Sequence, residues 1–305
     1  MLSVVKGQLM YPYLRYEEPV FRPPSEAKSL ILQITVGCSQ NQCRFCGMYK
    51  MKKFRCRPVE ELTAEITQLP EALKAHVRRV FLADGDALVY SQGGLVEILN
   101  TLNHQLPNLT RVGTYASPRS LTGKSEEDLR ALFEKKLKII YFGLESGDDE
   151  TLKLADKQYG SQQMLELCKK ARRAGLKISV TAILGLAGSA RTKEHAKATA
   201  EWVNALSPEY FSLLTMFRRH NDDYFKMIEP LTNGQVLEEA LAIVSKLQPE
   251  RTILRSNHVS NILNLSGSYP KDRLRLISHA EMALAEGRKN PSWFNQIPGY
   301  GEEYY

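Results

Sequence analysis

Three of the chain's five cysteines, Cys38, Cys43 and Cys46, crowd into the stretch QITVGCSQNQCRFCGMYKMKKFR (33–55). The spacing C-x4-C-x2-C lets three thiolates converge on one metal centre, and soft thiolates favour zinc or an iron–sulfur cluster. On spacing alone both metals stand. Cys56 offers a fourth ligand for an all-thiolate zinc site, whereas Cys168, inside MLELCKKA, reads as a core residue of a helix. Zinc fits less well, because structural zinc sites usually pair cysteines on two tight turns and Cys56 has no partner at C-x2-C spacing. Three ligands on a four-iron cube leave one iron open to bind something else.

These residues need elements to position them. Short apolar runs alternate with amphipathic stretches: LILQITV (30–36), RVFLAD (79–84), TRVGTYA (110–116), KIIYFGL (138–144), KISVTAIL (177–184) and YFSLLTM (210–216) read as strands. Between them PVEELTAEITQLPEAL, SEEDLRALFEKK, SQQMLELCKKARRAG and TKEHAKATAEWVNAL read as helices, several opening on Pro, Ser or Thr. The repeat is roughly 30–40 residues, the size of a βαβ unit. The expected fold is α/β, a partial (β/α)6 TIM-like barrel, with an N-terminal arm (1–29), the barrel (30–220) and a helical C-terminal extension (221–305) covering the barrel mouth.

In such barrels the loops after the strands converge on the site. The Cys loop follows the first expected strand, DGDA (84–87) the second, SPRS (117–120) the third and ESGDD (145–149) the fourth. GLAG (185–188) and RRH (218–220) follow the fifth and sixth. Each alone could be a turn; their shared position is what informs.

With 305 residues, 43% hydrophobic and 25% charged, the chain has material for a full core. No apolar run approaches the roughly 20 residues a membrane span needs, and the N-terminus lacks a signal-peptide core, so no membrane association and a cytoplasmic location are expected. An odd, clustered cysteine set argues against a disulfide framework. The net charge of +7 permits an anionic partner without demanding one.

Taken together, the chain resembles a radical S-adenosylmethionine (radical SAM) enzyme over roughly residues 22–220. The stretch YFGLESGDDETLKLADK is similar to a segment of the branch that holds anaerobic coproporphyrinogen dehydrogenases, methylthiotransferases and Elongator-type tRNA enzymes. CSQNQC departs from the family's spacing, with four residues rather than three between the first two cysteines. The resemblance implies a [4Fe-4S] cluster on Cys38, Cys43 and Cys46, with SAM at the open iron and Phe45 beside the adenine. It implies further SAM contacts from Asp84, Gly85 and Asp86 in place of the family's glycine-rich motif, from Ser117, Glu145 and Lys157, and from Thr181 with ILGLAG. The chemistry it implies is reductive cleavage of SAM to methionine and a 5′-deoxyadenosyl radical that abstracts hydrogen from substrate, in an oxygen-sensitive enzyme fed by a low-potential electron donor of the flavodoxin or ferredoxin type.

Those residue types suit the ligand. SAM carries an ammonium, a carboxylate, a sulfonium and a ribose diol, so its site needs an acceptor, a cation and hydroxyls close together. Taken singly, Glu145 and Lys157 would read as a helix-start acid and a solvated lysine. For the substrate, MYKMKKFRCR places Lys50, Lys52, Lys53, Arg55 and Arg57 beside Tyr49 and Phe54, a set able to meet phosphates or porphyrin carboxylates, or simply a solvated basic loop. An anionic substrate is therefore expected; nucleic acid is permitted but not indicated, and no second cysteine cluster supports sulfur insertion. Asn257, His258 and Asn261 in RSNHVSN are the substrate-side candidates, closing the mouth. Two alternatives share the fold: a non-catalytic haem or tetrapyrrole chaperone, and a tRNA-modifying radical SAM enzyme.

Overall fold

A computed structural model describes residues 13–299 throughout, together with the backbone of 3–5 and 8–10. Parts of the expected arm (1–2, 6–7, 11–12) and of the expected extension (300–305) lie outside the described residues. The chain divides into two compact units. The first comprises Met1–Asn41, Tyr49–Phe142 and Lys169–Lys177; the second comprises Gln42–Met48, Gly143–Cys168 and Ile178–Tyr305.

In the first unit the apolar runs become parallel strands β1 (Leu30–Gln33), β2 (Arg79–Ala83), β3 (Arg111–Ala116) and the body of β4 (Leu137–Glu145). Each pairs with the next, in registers that set Leu32 against Leu82, Leu82 against Thr114 and Thr114 against Ile140. The runs are apolar without alternation because such strands are covered on both faces. Ile31, Leu32, Phe81, Leu82, Val112 and Ile140 are all buried, and a ring like Phe81 contributes on the order of 2–3 kcal/mol by leaving water. Serines start the helices: Ser91 caps Gln92–Gln105, and Ser125 caps Glu126–Glu134 with a reciprocal bond to Asp128. The stretch 58–73, expected as one helix, falls in two, Val59–Thr67 and Glu71–His76, because Pro70 cannot continue the first.

The run 30–36 is also broken. After β1, Thr35–Val36 turns aside to pair antiparallel with Arg55–Cys56, which sets Cys56 opposite Thr35 with its side chain exposed.

The second unit holds the last residues of β4, then β5 (Lys177–Leu184, from Ile178 on), β6 (Tyr210–Thr215), β7 (Thr252–Arg255) and β8 (Ser266–Tyr269). β5, β6 and β7 pair in parallel and β8 closes this edge antiparallel. The six expected strands are present, and the segment expected to be helical adds β7 and β8. Helices Thr192–Leu206, Asn233–Lys246 and Arg273–Arg288 cover these strands. The fold is thus α/β with parallel strands. Among the described residues no helix is long and apolar enough to cross a membrane.

Candidate functional site

In the first unit, the ends of β1, β2 and β3 carry a network built on two carboxylates. Asp84 Oδ2 accepts from Gln33 Nε2 at 3.0 Å, from the Gly37 amide at 3.1 Å and from Lys52 Nζ at 2.9 Å. Lys52 also donates to the carbonyls of Glu17 and Pro19, so this buried cation ties the arm to the Cys38 loop. Burial raises the Asp84 pKa, and the Lys52 ammonium opposes that rise. Asp86 accepts from Ser39 Oγ, from Ser117 Oγ at 2.7 Å and from the Ser117 amide at 3.0 Å.

Both carboxylates have no exposed surface. In this structure both are engaged with the loops after β1 and β3, which they hold in place. Of this motif Gly85 alone is half-buried. A β-carbon there would stand 2.6 Å from Tyr49 Cε2 and 2.8 Å from Cys38 Cβ, so glycine is what lets the second loop close on Cys38. The Gly85 amide donates to the Gly37 carbonyl at 3.1 Å. Asp84 Oδ1 and the Tyr49 hydroxyl are buried with no hydrogen-bond partner among the described residues. Ser117, buried, caps the helix Pro118–Thr122.

The second unit gathers the other half of the expected set. Cys43 and Phe45 are buried in a cluster with Ala155, Leu186, Met216, Tyr224 and Phe225, with Cys46 packed against it. Phe45 meets Tyr224 edge-on, with ring centroids 6.4 Å apart. Glu145 Oε1 and Lys157 Nζ pair at 3.1 Å, their side chains 13% and 9% exposed. Glu145 sits at φ +66°, a left-handed conformation that residues other than glycine rarely adopt. Gly143 makes room for it, since a β-carbon there would stand 2.0 Å from Glu145 Oε1. Burial pushes the Cys46 thiol up to about 11; a backbone bond at Met48 opposes that, Cys43 and Glu145 add to it and Lys157 opposes it. Cys46, Glu145 and Lys157 therefore feel one another.

The remaining candidates have surroundings of their own. Thr181 is half-buried on β5, opposite Ser212 of β6. Asn257 is exposed. His258 stacks on Phe217, centroids 6.4 Å apart, and its Nδ1 lies 2.8 Å from Ser260 Oγ. Asn261 clamps the end of β6: its Oδ1 accepts from Thr215 N and Oγ1, and its Nδ2 donates to Leu213 O and Ser256 Oγ. Every polar group of that amide is engaged within the chain.

The basic segment after the cysteines divides in two. Lys52 is buried on Asp84, and Arg57 is buried against Glu65 at 2.5 Å and Glu61 at 2.7 Å. These two cations are structural and are withdrawn from any substrate-binding surface. Among the described residues no three Cys, His, Asp or Glu side chains are gathered as ligands of a single metal ion.

Residues 32–203, more than half of the chain, match the family described as the Radical SAM superfamily. The chain belongs to that superfamily. Its members use a [4Fe-4S] cluster and SAM. It is 25% identical over 182 residues to the tRNA-2-methylthio-N(6)-dimethylallyladenosine synthase of Akkermansia muciniphila, covering 54% of this chain and 37% of that one. It is 19% identical over 202 residues to the heme chaperone HemW of Bacillus subtilis, covering 64% and 52%. In fold it resembles the radical SAM enzyme coproporphyrinogen III oxidase (HemN) of Escherichia coli, with a TM-score of 0.56, 18% identity and coverage of 72% of this chain and 52% of that one. The chain spans about half the length of the curated relatives it matches, or less.

The residues fit a radical SAM cofactor set. None of Cys38, Cys43 and Cys46 is in a disulfide, and in the second unit, which holds Cys43 and Cys46, the Glu145–Lys157 pair offers an acid and a cation. Several supporting residues had no sequence signal. Asn221 is buried and donates to the Phe45 carbonyl at 2.6 Å; the Tyr224 hydroxyl donates to the Leu186 carbonyl at 2.9 Å. Glu239, from the helix Asn233–Lys246, accepts from the Gly185 amide at 2.7 Å and pins the GLAG loop.

Proposed function

We propose that this chain is a radical SAM enzyme in which Cys38, Cys43 and Cys46 hold the cluster and Gly85, Ser117, Glu145, Lys157, Phe45 and Thr181 surround SAM. When bound, cluster and SAM supply a one-electron reductive cleavage of the sulfonium that yields methionine and a 5′-deoxyadenosyl radical able to take hydrogen from substrate. The observation that carries the proposal is the mostly buried Glu145–Lys157 pair at 3.1 Å, whose charges bear on the Cys46 thiol.

The chain's own part is positional. A thiol raised to about 11 stays protonated at neutral pH until a metal displaces its proton. Lys157 offers a cation for a carboxylate and Glu145 an acceptor for an ammonium or a ribose hydroxyl, in a setting dry enough to strengthen both. The left-handed backbone at Glu145 aims its carboxylate back over Gly143. Phe45, backed by Tyr224, gives a flat apolar wall suited to a purine. Asp84 and Asp86 brace the loops of Cys38 and Ser117 from behind.

We assign residues 256–265 to covering the substrate side, with Asn257 and His258 facing it and Asn261 fixing the segment to β6. With Lys52 and Arg57 withdrawn, an anionic substrate rests on the net charge of +7.

Anaerobic reconstitution with iron and sulfide tests the cluster. The expected result is about four irons per chain, lost in each of Cys38→Ala, Cys43→Ala and Cys46→Ala and kept in Cys56→Ala and Cys168→Ala. One zinc per chain, lost on changing Cys56, would overturn the assignment.

A further inference from the structure

The outward half of the basic segment has a different use. Tyr49 and Lys52 turn inward, while Lys50, Met51, Lys53 and Arg55 are exposed, Met51 by 49%. Arg55 is offset by Glu17 at 2.8 Å. Lys50, Lys53 and Arg119 form no ion pair among the described residues, and two of them are anchored on the cysteine loop itself. Lys50 Nζ donates to the Asn41 carbonyl at 2.7 Å, and Arg119 donates to the Ser39 carbonyl at 3.3 Å. Ser39 follows Cys38 directly. Asn41 is three residues from Cys38, which at about 3.6 Å per residue puts it within roughly 11 Å.

We propose that Lys50, Met51, Lys53 and Arg119 form the docking surface for a small acidic one-electron carrier protein that reduces the cluster. The proposal rests on the function given above and names a partner of that same site. Charge complementarity selects the occupant: uncompensated cations steer an acidic carrier, and such redox encounters are small and electrostatic rather than large and apolar. The exposed thioether of Met51, flanked by lysines, suits adaptable packing against a protein better than a bare phosphate. Anchoring cations on Ser39 and Asn41 brings the carrier to the outer side of the loop that begins at Cys38. One electron leaves the carrier's reduced cofactor and enters the cluster; no bond forms or breaks and no proton changes hands.

The test uses the iron-loaded full chain and its Lys50→Glu/Lys53→Glu variant. Flavodoxin is the probe: its affinity is measured by calorimetry at low and high salt, and cluster bleaching is followed with reduced flavodoxin and, in parallel, with dithionite. Native affinity should fall about tenfold or more as salt rises from low to near-molar, as screening predicts. The variant should lose about tenfold or more in affinity and in flavodoxin-driven bleaching, while dithionite bleaches both proteins equally. Failure of the native protein to bind flavodoxin at low salt would overturn the proposal. So would an unchanged variant, or a variant that loses affinity for bulk tRNA while flavodoxin is unaffected. Failure of dithionite to bleach the native protein counts instead against the cluster assignment, and the binding arm still reads the docking surface.

Discussion

The side-chain amide of Asn221 donates to the Phe45 carbonyl at 2.6 Å, one residue ahead of Cys46. The same amide donates to the Phe217 carbonyl at 3.0 Å, and its oxygen accepts from the Arg219 amide at 2.8 Å. A single buried residue after β6 thus fixes the backbone that carries Phe45 and Cys46. Gly47 packs the same junction, since a β-carbon there would overlap the Arg219 carbonyl. Asn221→Leu leaves two buried carbonyls without this donor, at about 1–3 kcal/mol for each unsatisfied group. The expected result is faster iron loss to a chelator, with a circular dichroism spectrum like the native one. Native iron retention would remove Asn221 from the support of this loop.

Breaking the Glu145–Lys157 pair separates binding from stability. Glu145→Ala and Lys157→Ala should each weaken SAM binding by about 1–3 kcal/mol and leave the cluster spectrum unchanged. Each single change also takes this partner from a mostly buried charge, so the double variant should regain part of the lost stability without regaining SAM affinity. Calorimetry with SAM and urea melts read the two effects independently. Unaltered SAM affinity in both single variants would strike the pair from the site.

Two glycines make a contrasting pair. Gly85→Ala puts a methyl within 2.8 Å of Cys38 Cβ and closer still to Tyr49; overpacking of that kind costs about 1–3 kcal/mol, and iron content should fall with it. Gly93→Ala, in the helix Gln92–Gln105 with nothing within 4 Å of the new methyl, should add about 0.5–1 kcal/mol. Denaturant melts of the two variants should move in opposite directions.

Acid should loosen the turn after Glu145. Arg191 binds both oxygens of Asp148, at 2.9 and 2.8 Å, and this pairing holds the carboxyl at about 2, below its usual 3.8. A depressed folded-state pKa means the stabilisation is complete above the unfolded value and is lost as pH falls from near 4 toward 2. Asp148→Asn should therefore flatten the pH dependence of stability in that window while changing little of it between pH 6 and 8. An identical slope in native and variant protein would contradict the assignment.

Much of the scaffold was legible because parallel strands covered on both faces must be largely apolar, as VFLA of β2 and the Ile, Val, Ala and Leu residues of KISVTAIL are. β7 and β8 were not: TILR is too short to show a period, and SGSY joins the sheet as an antiparallel edge strand through neighbours the sequence does not reveal. The three cysteines stood out by type and spacing, whereas Glu145 and Lys157 entered only through the resemblance carried by YFGLESGDDETLKLADK. Lys52 and Lys53 are adjacent and alike in sequence, yet one is buried on Asp84 and the other exposed, a difference set by the arm and by the DGDA loop. Asp84 and Asp86 were visible as chemistry, but their burial could be seen only in the fold. Asn221 and Glu239 act through backbone carbonyls and amides far away in sequence, which leave no local mark.

The central claim is that Cys38, Cys43 and Cys46 support reductive cleavage of SAM. The most direct measurement is anaerobic: iron-loaded protein, dithionite and SAM are incubated together and 5′-deoxyadenosine is quantified by chromatography. It is expected from the native chain and from Cys56→Ala and Cys168→Ala, and not from Cys38→Ala, Cys43→Ala or Cys46→Ala. An iron-replete, dithionite-reducible native protein that binds haem and forms no 5′-deoxyadenosine would contradict the claim and favour the chaperone alternative.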